Sequence, residues 1–266
     1  MIMTRKMMLF ASMLMLSTLQ VHAQEAEQGG WFMADEYWGQ EKMEKAREKV
    51  QRSHGALTGY FIDAERLEYR SNEGDPQFLW DGQGWYGGDK NKLWIKSEGE
   101  YDFDSDEFED AEVQALWSRA FSRYFDVQAG VRHDFAPGSD RTFGVLGVEG
   151  LAPYWFEVDA ALFVSGEGDV SVRAEVEYEL LLTQRLILQP RTELNFAFQD
   201  VPENEVGSGL STIEAGARLR YEIKREFAPY IGVSWERDIG NNADFTRAAG
   251  GDPGSLSFVA GVRLWF

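Results

Sequence analysis

The chain has 266 residues, 45 of them acidic against 26 basic, and a formal net charge of −19. So acidic a surface disfavours nucleic acid as a partner and favours cations. With no cysteine in the chain, thiol catalysis, disulfide frameworks and thiolate metal sites are excluded.

Arg5 and Lys6 precede an apolar stretch from Met7 to Leu19, and Val21-His22-Ala23 is a small-x-small-like cleavage signal. Residues 1–23 read as a secretory signal peptide. Its removal takes two positive charges from the −19 of the whole chain and leaves the mature chain near −21. No later segment approaches the roughly 20 consecutive apolar residues of a membrane helix. Residues 24–55 differ in kind from the remainder of the mature chain. Between Asp35 and Ser53, Glu41/Lys45 and Glu48/Arg52 stand at i, i+4 beside a thin apolar stripe of Trp38, Met43, Ala46 and Val50. That pattern predicts a short exposed helix in a mobile arm, lying in the periplasm or folding back into a lumen.

Beyond residue 56, apolar and polar residues alternate one by one. From Val170 to Leu182, Val170, Val172, Ala174, Val176, Tyr178, Leu180 and Leu182 share one parity, while Ser171, Arg173, Glu175, Glu177 and Glu179 share the other. One strand face suits hydrocarbon and the other suits charge. Repeated about a dozen times with little helix to cover it, this is the pattern of a transmembrane β-barrel. The mean hydropathy of −0.39 is compatible with it, because half of each barrel strand and all of the loops are polar.

Strands are predicted at 57–69, 78–87, 92–104, 111–123, 126–136, 142–152, 155–165, 169–182, 186–199, 211–223, 227–237 and 257–266. Twelve is an even number, as single-chain bacterial barrels require. With the N-terminus in the periplasm, the predicted periplasmic connections are short and most of the external ones are longer. The second strand is glycine-rich from Trp80 to Tyr86; read as loop, it takes the first strand with it and leaves ten. Aromatics such as Trp94, Tyr154, Trp155, Phe227 and Trp265 cluster at strand ends, as an interfacial girdle does. Phe266, preceded by Leu264, Val262, Ala260 and Phe258, resembles the terminal strand that barrel-assembly machinery recognises.

Hairpin geometry predicts which luminal charges meet. A turn at Gly166–Gly168 and another at Thr183–Arg185 place Glu157 opposite Glu177 and Arg191, and Asp159 opposite Glu175 and Glu193. Like charges directly opposite are destabilising, so Asp159, Glu175 and Glu193 require a cation, altered protonation or nearby arginines, for which Arg173 and Arg191 are the nearest candidates. Glu214 opposite Glu236 poses the same problem, with Arg218 and Arg220 nearby. A carboxylate–guanidinium network stiffening the barrel is one reading. An acidic path or weak cation site is the other.

Several blocks carry a family resemblance: Arg66-Leu67-Glu68-Tyr69-Arg70, the run from Leu79 to Asp89 that includes Trp80-Asp81-Gly82-Gln83-Gly84-Trp85-Tyr86, Asn91-Lys92-Leu93-Trp94, Gln114-Ala115-Leu116, Gly150-Leu151-Ala152-Pro153-Tyr154-Trp155-Phe156, Leu181-Leu182-Thr183-Gln184-Arg185-Leu186, Gly207-Ser208-Gly209-Leu210 and Arg225-Glu226-Phe227-Ala228-Pro229-Tyr230. Over roughly Leu57 to Phe266 the chain resembles the copper resistance protein B family of bacterial outer membranes. The resemblance implies a barrel that acts in copper tolerance, binds copper ion or moves it across the membrane, and works beside outer-membrane lipid and periplasmic copper-handling proteins. Members of the family often carry a Met- and His-rich segment before the barrel. Here six of the eight Met lie in the signal peptide. In the arm, Met33, Met43 and His54 are the thioether and imidazole candidates for copper, while in the lumen Asp159, Glu175 and Glu193 are the carboxylate candidates. The bland alternatives are an apolar cluster of Met33 with Trp31-Phe32, the helical stripe for Met43, and a polar residue before Gly55 for His54. His133 is expected to point outwards near a strand end. No enzymatic activity is expected; an outer-membrane hydrolase would have to use His133 with Asp134 and Ser139. A small general porin without a metal role is the remaining alternative.

Overall fold

The structure is a computed structural model, and it describes residues 33–54, 57–71, 76–136, 140–204 and 206–266. The signal peptide, residues 24–32 and Ser139 lie outside the described residues. The chain divides into two units, Met1–Gly55 and Ala56–Phe266.

In the first unit the single predicted helix is two, α1 (Met33–Trp38) and α2 (Gln40–His54). Gly39 separates them at φ 81°, a left-handed conformation that glycine adopts without the Cβ clash other residues meet. Arg47 of α2 donates to both carboxylate oxygens of Asp35 in α1, at 2.6 and 2.9 Å. This bidentate hydrogen bond holds the Asp35 carboxyl below its usual pKa. Along α2, Lys45 and Glu41 form the expected i, i+4 pair at 2.7 Å.

The second unit is a barrel of twelve antiparallel strands: β1 (Gly59–Arg70), β2 (Gln77–Gly87), β3 (Asn91–Asp102), β4 (Glu107–Ala120), β5 (Phe125–Ala136), β6 (Arg141–Ala152), β7 (Phe156–Ser165), β8 (Val170–Glu177, resumed at Leu180–Leu181), β9 (Leu186–Ala197), β10 (Gly209–Tyr221), β11 (Phe227–Asp238) and β12 (Gly254–Trp265). Each strand pairs with its sequence neighbours, and β1 pairs with β12 to close the ring. The C-terminal residue takes part in the closure. Phe266 donates to the Ile62 carbonyl at 2.8 Å and accepts from the Ile62 amide at 3.0 Å.

The glycine-rich segment is a full strand, paired along its length with β1 and β3, so the ten-strand alternative falls. The break in β8 has a local cause. Pro190 stands opposite Tyr178 and accepts from its amide at 3.1 Å, but it has no N–H to return the bond, and the ladder stops there. One predicted loop holds a helix, α3 (Asn241–Ala249). Gly250, at φ 93°, ends it by donating to the Arg247 carbonyl at 3.1 Å.

Burial is inverted relative to a soluble protein. Ile62, Leu146, Ile231 and Phe258 are more than half exposed on the outer face, whereas Glu68 and Ser118 are 0 % exposed and Arg66 and Gln128 are 2 % exposed on the inner one. Only an apolar solvent around the ring makes that arrangement stable. The interior is filled as well as polar. Trp94, Leu116, Phe143, Val145 and Phe163 form a buried cluster on the wall from β3 to β7, and the Arg132 guanidinium packs over the rings of Phe143 and Phe163. The short connections lie at one rim, between β2 and β3, β4 and β5, β6 and β7, β8 and β9, and β10 and β11. The loop carrying α3 lies at the other.

Candidate functional site: a carboxylate row through the lumen

The hairpin registers stand as expected. Asp159 pairs with Glu175, Glu175 with Glu193, Glu157 with Glu177, Glu177 with Arg191, and Glu214 with Glu236. The two predicted acidic groups prove to be one. Across β9 and β10, Glu193 pairs with Glu214; in the other direction Asp159 pairs with Glu149 and Glu149 with Asp126. Asp126, Glu149, Asp159, Glu175, Glu193, Glu214 and Glu236 thus form a continuous cross-strand row on seven neighbouring strands, β5 to β11. Because barrel strands are tilted and sheared, a row followed at right angles to them climbs the wall. Asp126 is the second residue of β5, at the short-turn rim, and Glu236 lies two residues from the end of β11, at the opposite rim.

Six of the seven carboxylates meet a cation. Lys92 reaches Asp126 at 2.8 Å. Lys96 reaches Glu149 at 3.0 Å and also binds Asp159. Arg191 bridges Glu175 and Glu193, both at 2.6 Å, and Glu214 at 3.1 Å. Glu214 also takes Arg70 at 3.0 Å and the Ser234 hydroxyl at 2.8 Å. Among the described residues, the Glu236 carboxylate accepts no side-chain hydrogen bond and forms no ion pair.

Of the arginines expected to neutralise the row, Arg191 pairs with Glu175 and Glu193, while Asp159 is left to Lys96. Arg173 touches Glu193 at 3.5 Å but donates across the lumen to Glu98 and Glu112, each at 3.0 Å. Arg218 lies 4.0 Å from Glu214, with its main bonds, both 2.8 Å, to Glu68. Arg220 is not part of the row; it binds Gln189 and Glu179. Arg191 is compensated by its own and the two adjacent strands, whereas Arg173 and Arg218 find their main partners across the lumen. Glu68 also accepts from Arg70 at 2.9 Å and from the Tyr230 hydroxyl at 3.0 Å. Gly261 leaves room for that hydroxyl, since a Cβ there would lie 2.6 Å from it. Across the barrel centre, Arg66, Arg70, Arg191 and Arg218 therefore converge on Glu68 and Glu214.

Towards the short-turn rim the balance reverses. A cavity of about 370 Å³ is lined by Asp81, Glu98, Glu149, Asp159, Glu175 and Glu177 among other carboxylates, with Lys96 and Arg173 as its cations. Glu65 and Glu157 also line it, and their carboxylates form neither a hydrogen bond nor an ion pair among the described residues. Glu65 faces the lumen because β1 bulges there: Ala64 pairs with Gly82 and Arg66 with Asp81, so Glu65 is the extra residue. A smaller cavity of about 300 Å³ at the other rim is lined by Glu100, Glu109, Glu236, Asp238 and Asp252, with Arg70 at its base.

Of the sequence-predicted metal candidates, Asp159, Glu175 and Glu193 are brought together in register on β7, β8 and β9. Met33 opens α1 and is 65 % exposed, Met43 is half-buried in α2, and His54 ends α2. All three belong to the arm. The described residues contain no group of three or more His, Asp or Glu arranged to hold a metal ion. His133 points outwards, as expected, with Nδ1 2.8 Å from the Thr142 hydroxyl. Asp134 faces the lumen and binds Arg132 at 2.6 and 2.9 Å. The two therefore stand on opposite faces of β5 and do not form an acid–base pair.

Comparison with known proteins decides the family. The model of the family described as copper resistance protein B precursor matches residues 58–266. The chain belongs to the copper resistance protein B family. It is 44% identical over 213 residues to copper resistance protein B of Escherichia coli, covering 80% of this chain and 71% of that one. To the copper resistance protein B homolog of Pseudomonas syringae pv. tomato it is 45% identical over 211 residues, covering 79% and 71%. Among solved structures, the NanC porin superposes with a TM-score of 0.50 at 14% identity over 77% of this chain and 99% of that one. That likeness bears on the fold alone. The protein is thus an outer-membrane β-barrel of a copper resistance family.

Proposed function

We propose that the barrel takes Cu(II) into its acidic lumen, holds it loosely and passes it between the outer face and the periplasm. The observation that carries this reading is the carboxylate row running from rim to rim, with an acid-rich cavity at either end. Carboxylate oxygens are hard donors, which suit Cu(II) better than Cu(I), and unpaired carboxylates such as Glu236, Glu65 and Glu157 raise the local cation concentration without trapping the ion. In the arm, Met33, Met43 and His54 supply the softer ligands that Cu(I) prefers, and a periplasmic copper-handling protein would receive or deliver the metal there. The reading includes no enzymatic step.

Titration of the detergent-solubilised mature chain with Cu(II) tests the luminal part. Asp159→Asn/Glu175→Gln should weaken binding about tenfold, the effect of losing roughly 1.4 kcal/mol of ligand interaction. Unchanged affinity removes these carboxylates from the site. Met33→Leu/Met43→Leu should weaken Cu(I) binding while leaving Cu(II) binding intact. Deletion of the gene should raise copper sensitivity or change cell-associated copper.

The ion pairing of six row members favours a second reading, in which the network stiffens a barrel without a metal role. Conductance or stability indifferent to Cu(II) would support it.

A further inference from the structure

Three short turns of the barrel stand side by side at one rim: residues 121–124 between β4 and β5, 153–155 between β6 and β7, and 182–185 between β8 and β9. The first is tied to the end of β6 that leads into the second, the Leu151 amide donating to the Tyr124 carbonyl at 2.9 Å. In a chain of net charge −19, these turns contain no carboxylate. Their cations are Arg123 and Arg185, joined by Arg119 on the outer face of β4. All three are exposed, and none forms an ion pair among the described residues. The turns that flank the arc on either side are mixed, with Asp89 beside Lys90, and Glu222 and Glu226 beside Lys224 and Arg225; the Glu222 amide donates to the Arg185 carbonyl at 2.8 Å.

The arc is also apolar where a soluble rim would be polar. Phe121, Tyr124, Tyr154, Trp155, Leu181 and Leu182 are each at least half exposed. The middle turn accepts an unfavourable backbone to present its rings. Tyr154 (φ 69°, ψ 18°) and Trp155 (φ 68°) both lie in the left-handed region, as the two central residues of a type I′ turn must, yet that turn favours Asn-Gly and disfavours bulky side chains. The flanking turns are pre-ordered. The Ser122 hydroxyl accepts from the amides of Tyr124 and Phe125 at 3.2 and 3.0 Å, and the Thr183 hydroxyl from those of Arg185 and Leu186 at 3.2 and 2.9 Å.

Unpaired arginines interleaved with exposed aromatic and leucyl side chains at the edge of a lipid-facing wall complement a headgroup that is anionic and an interface that is half apolar. We propose that this arc binds anionic phospholipid, with Arg119, Arg123 and Arg185 on the phosphates and Tyr154 and Trp155 seated among the headgroups. Short turns of such barrels face the periplasm, so the lipid is that of the periplasmic leaflet. Copper plays no part in this site.

Native mass spectrometry of the full mature chain tests it, with phosphatidylglycerol and phosphatidylcholine of identical acyl chains as probes. The wild type should retain phosphatidylglycerol about tenfold better, a modest value for three arginines near a charged interface. Arg119→Gln/Arg123→Gln/Arg185→Gln should abolish the preference, whereas Lys224→Gln/Arg225→Gln in the mixed turn should leave it. Tyr154→Asn/Trp155→Gly relieves the backbone and should fold at least as stably as the wild type while retaining less lipid. Equal retention of the two lipids by the wild type, or undiminished retention of phosphatidylglycerol by both arc variants, overturns the proposal.

Discussion

The centre of the lumen and its short-turn end are crossed by the same carboxylate row, and they treat it differently. At the centre, four arginines from three strands meet Glu68 and Glu214, and Arg191 alone bridges three members of the row. At the short-turn end, Lys92 and Lys96 pair Asp126, Glu149 and Asp159, and Arg66 takes Asp81 and Glu98, but Glu65 and Glu157 beside the row form no ion pair among the described residues and a cavity remains. A luminal carboxylate is therefore structural or available according to whether a cation from a neighbouring or facing strand reaches it.

Removing the bridge should have the largest effect. Arg191→Met leaves Glu175, Glu193 and Glu214 short of a buried partner, and loss of one side of such a network costs about 3–5 kcal/mol. The temperature at which the folded band converts on gels of unheated samples should fall sharply; an unchanged conversion temperature would mean that the centre is as loosely held as the cavity. Next comes Glu68→Gln, which keeps the volume but weakens the bonds from Arg218 and Arg70, at a cost of about 2–3 kcal/mol. Glu157→Gln at the cavity wall should change stability by less than about 0.5 kcal/mol, and a larger loss would show an ion pair at that wall. Smallest is the acid response of the arm. Asp35 has its pKa lowered by the hydrogen bond from Arg47, so the contact is present above the pKa of an unfolded carboxyl, about 3.9, and is lost as pH falls through the lower folded value. Hydrogen exchange of the α1–α2 amides in the mature chain should quicken over that acid window, and Asp35→Asn should be fast at neutral pH with no further acid step.

Much of the barrel was legible along the chain because a strand has a period of two and lipid demands that each outward residue be apolar. Where one short turn joins two strands, register follows as well, which is why Asp159, Glu175 and Glu193 could be aligned in advance. The long connection from β9 to β10 broke that inference: residues 198–208 set no register, so the Glu193–Glu214 contact that unites the row was hidden. The bulge at Glu65 and the proline break at Tyr178 were equally silent, the first because it shifts parity inside an otherwise regular strand, the second because its cause lies on the neighbouring strand. Gly39 between α1 and α2 was a readable signal, since glycine inside a helical pattern marks a break. The luminal apolar wall from Trp94 to Phe163 leaves no alternation signal, because its residues are apolar on the face where the pattern calls for polar ones.

Alternation, the even strand count, the short turns and the terminal Phe266 were determined by the amino-acid order, since each is a local property that hydrocarbon selects residue by residue. Which carboxylate keeps a cation was decided only when the ring closed. Glu68 and Arg218 are 150 residues apart, and no periodicity connects them; curvature of the sheet brings opposite walls within hydrogen-bonding distance, and there the pairing of charge is set by geometry across the lumen.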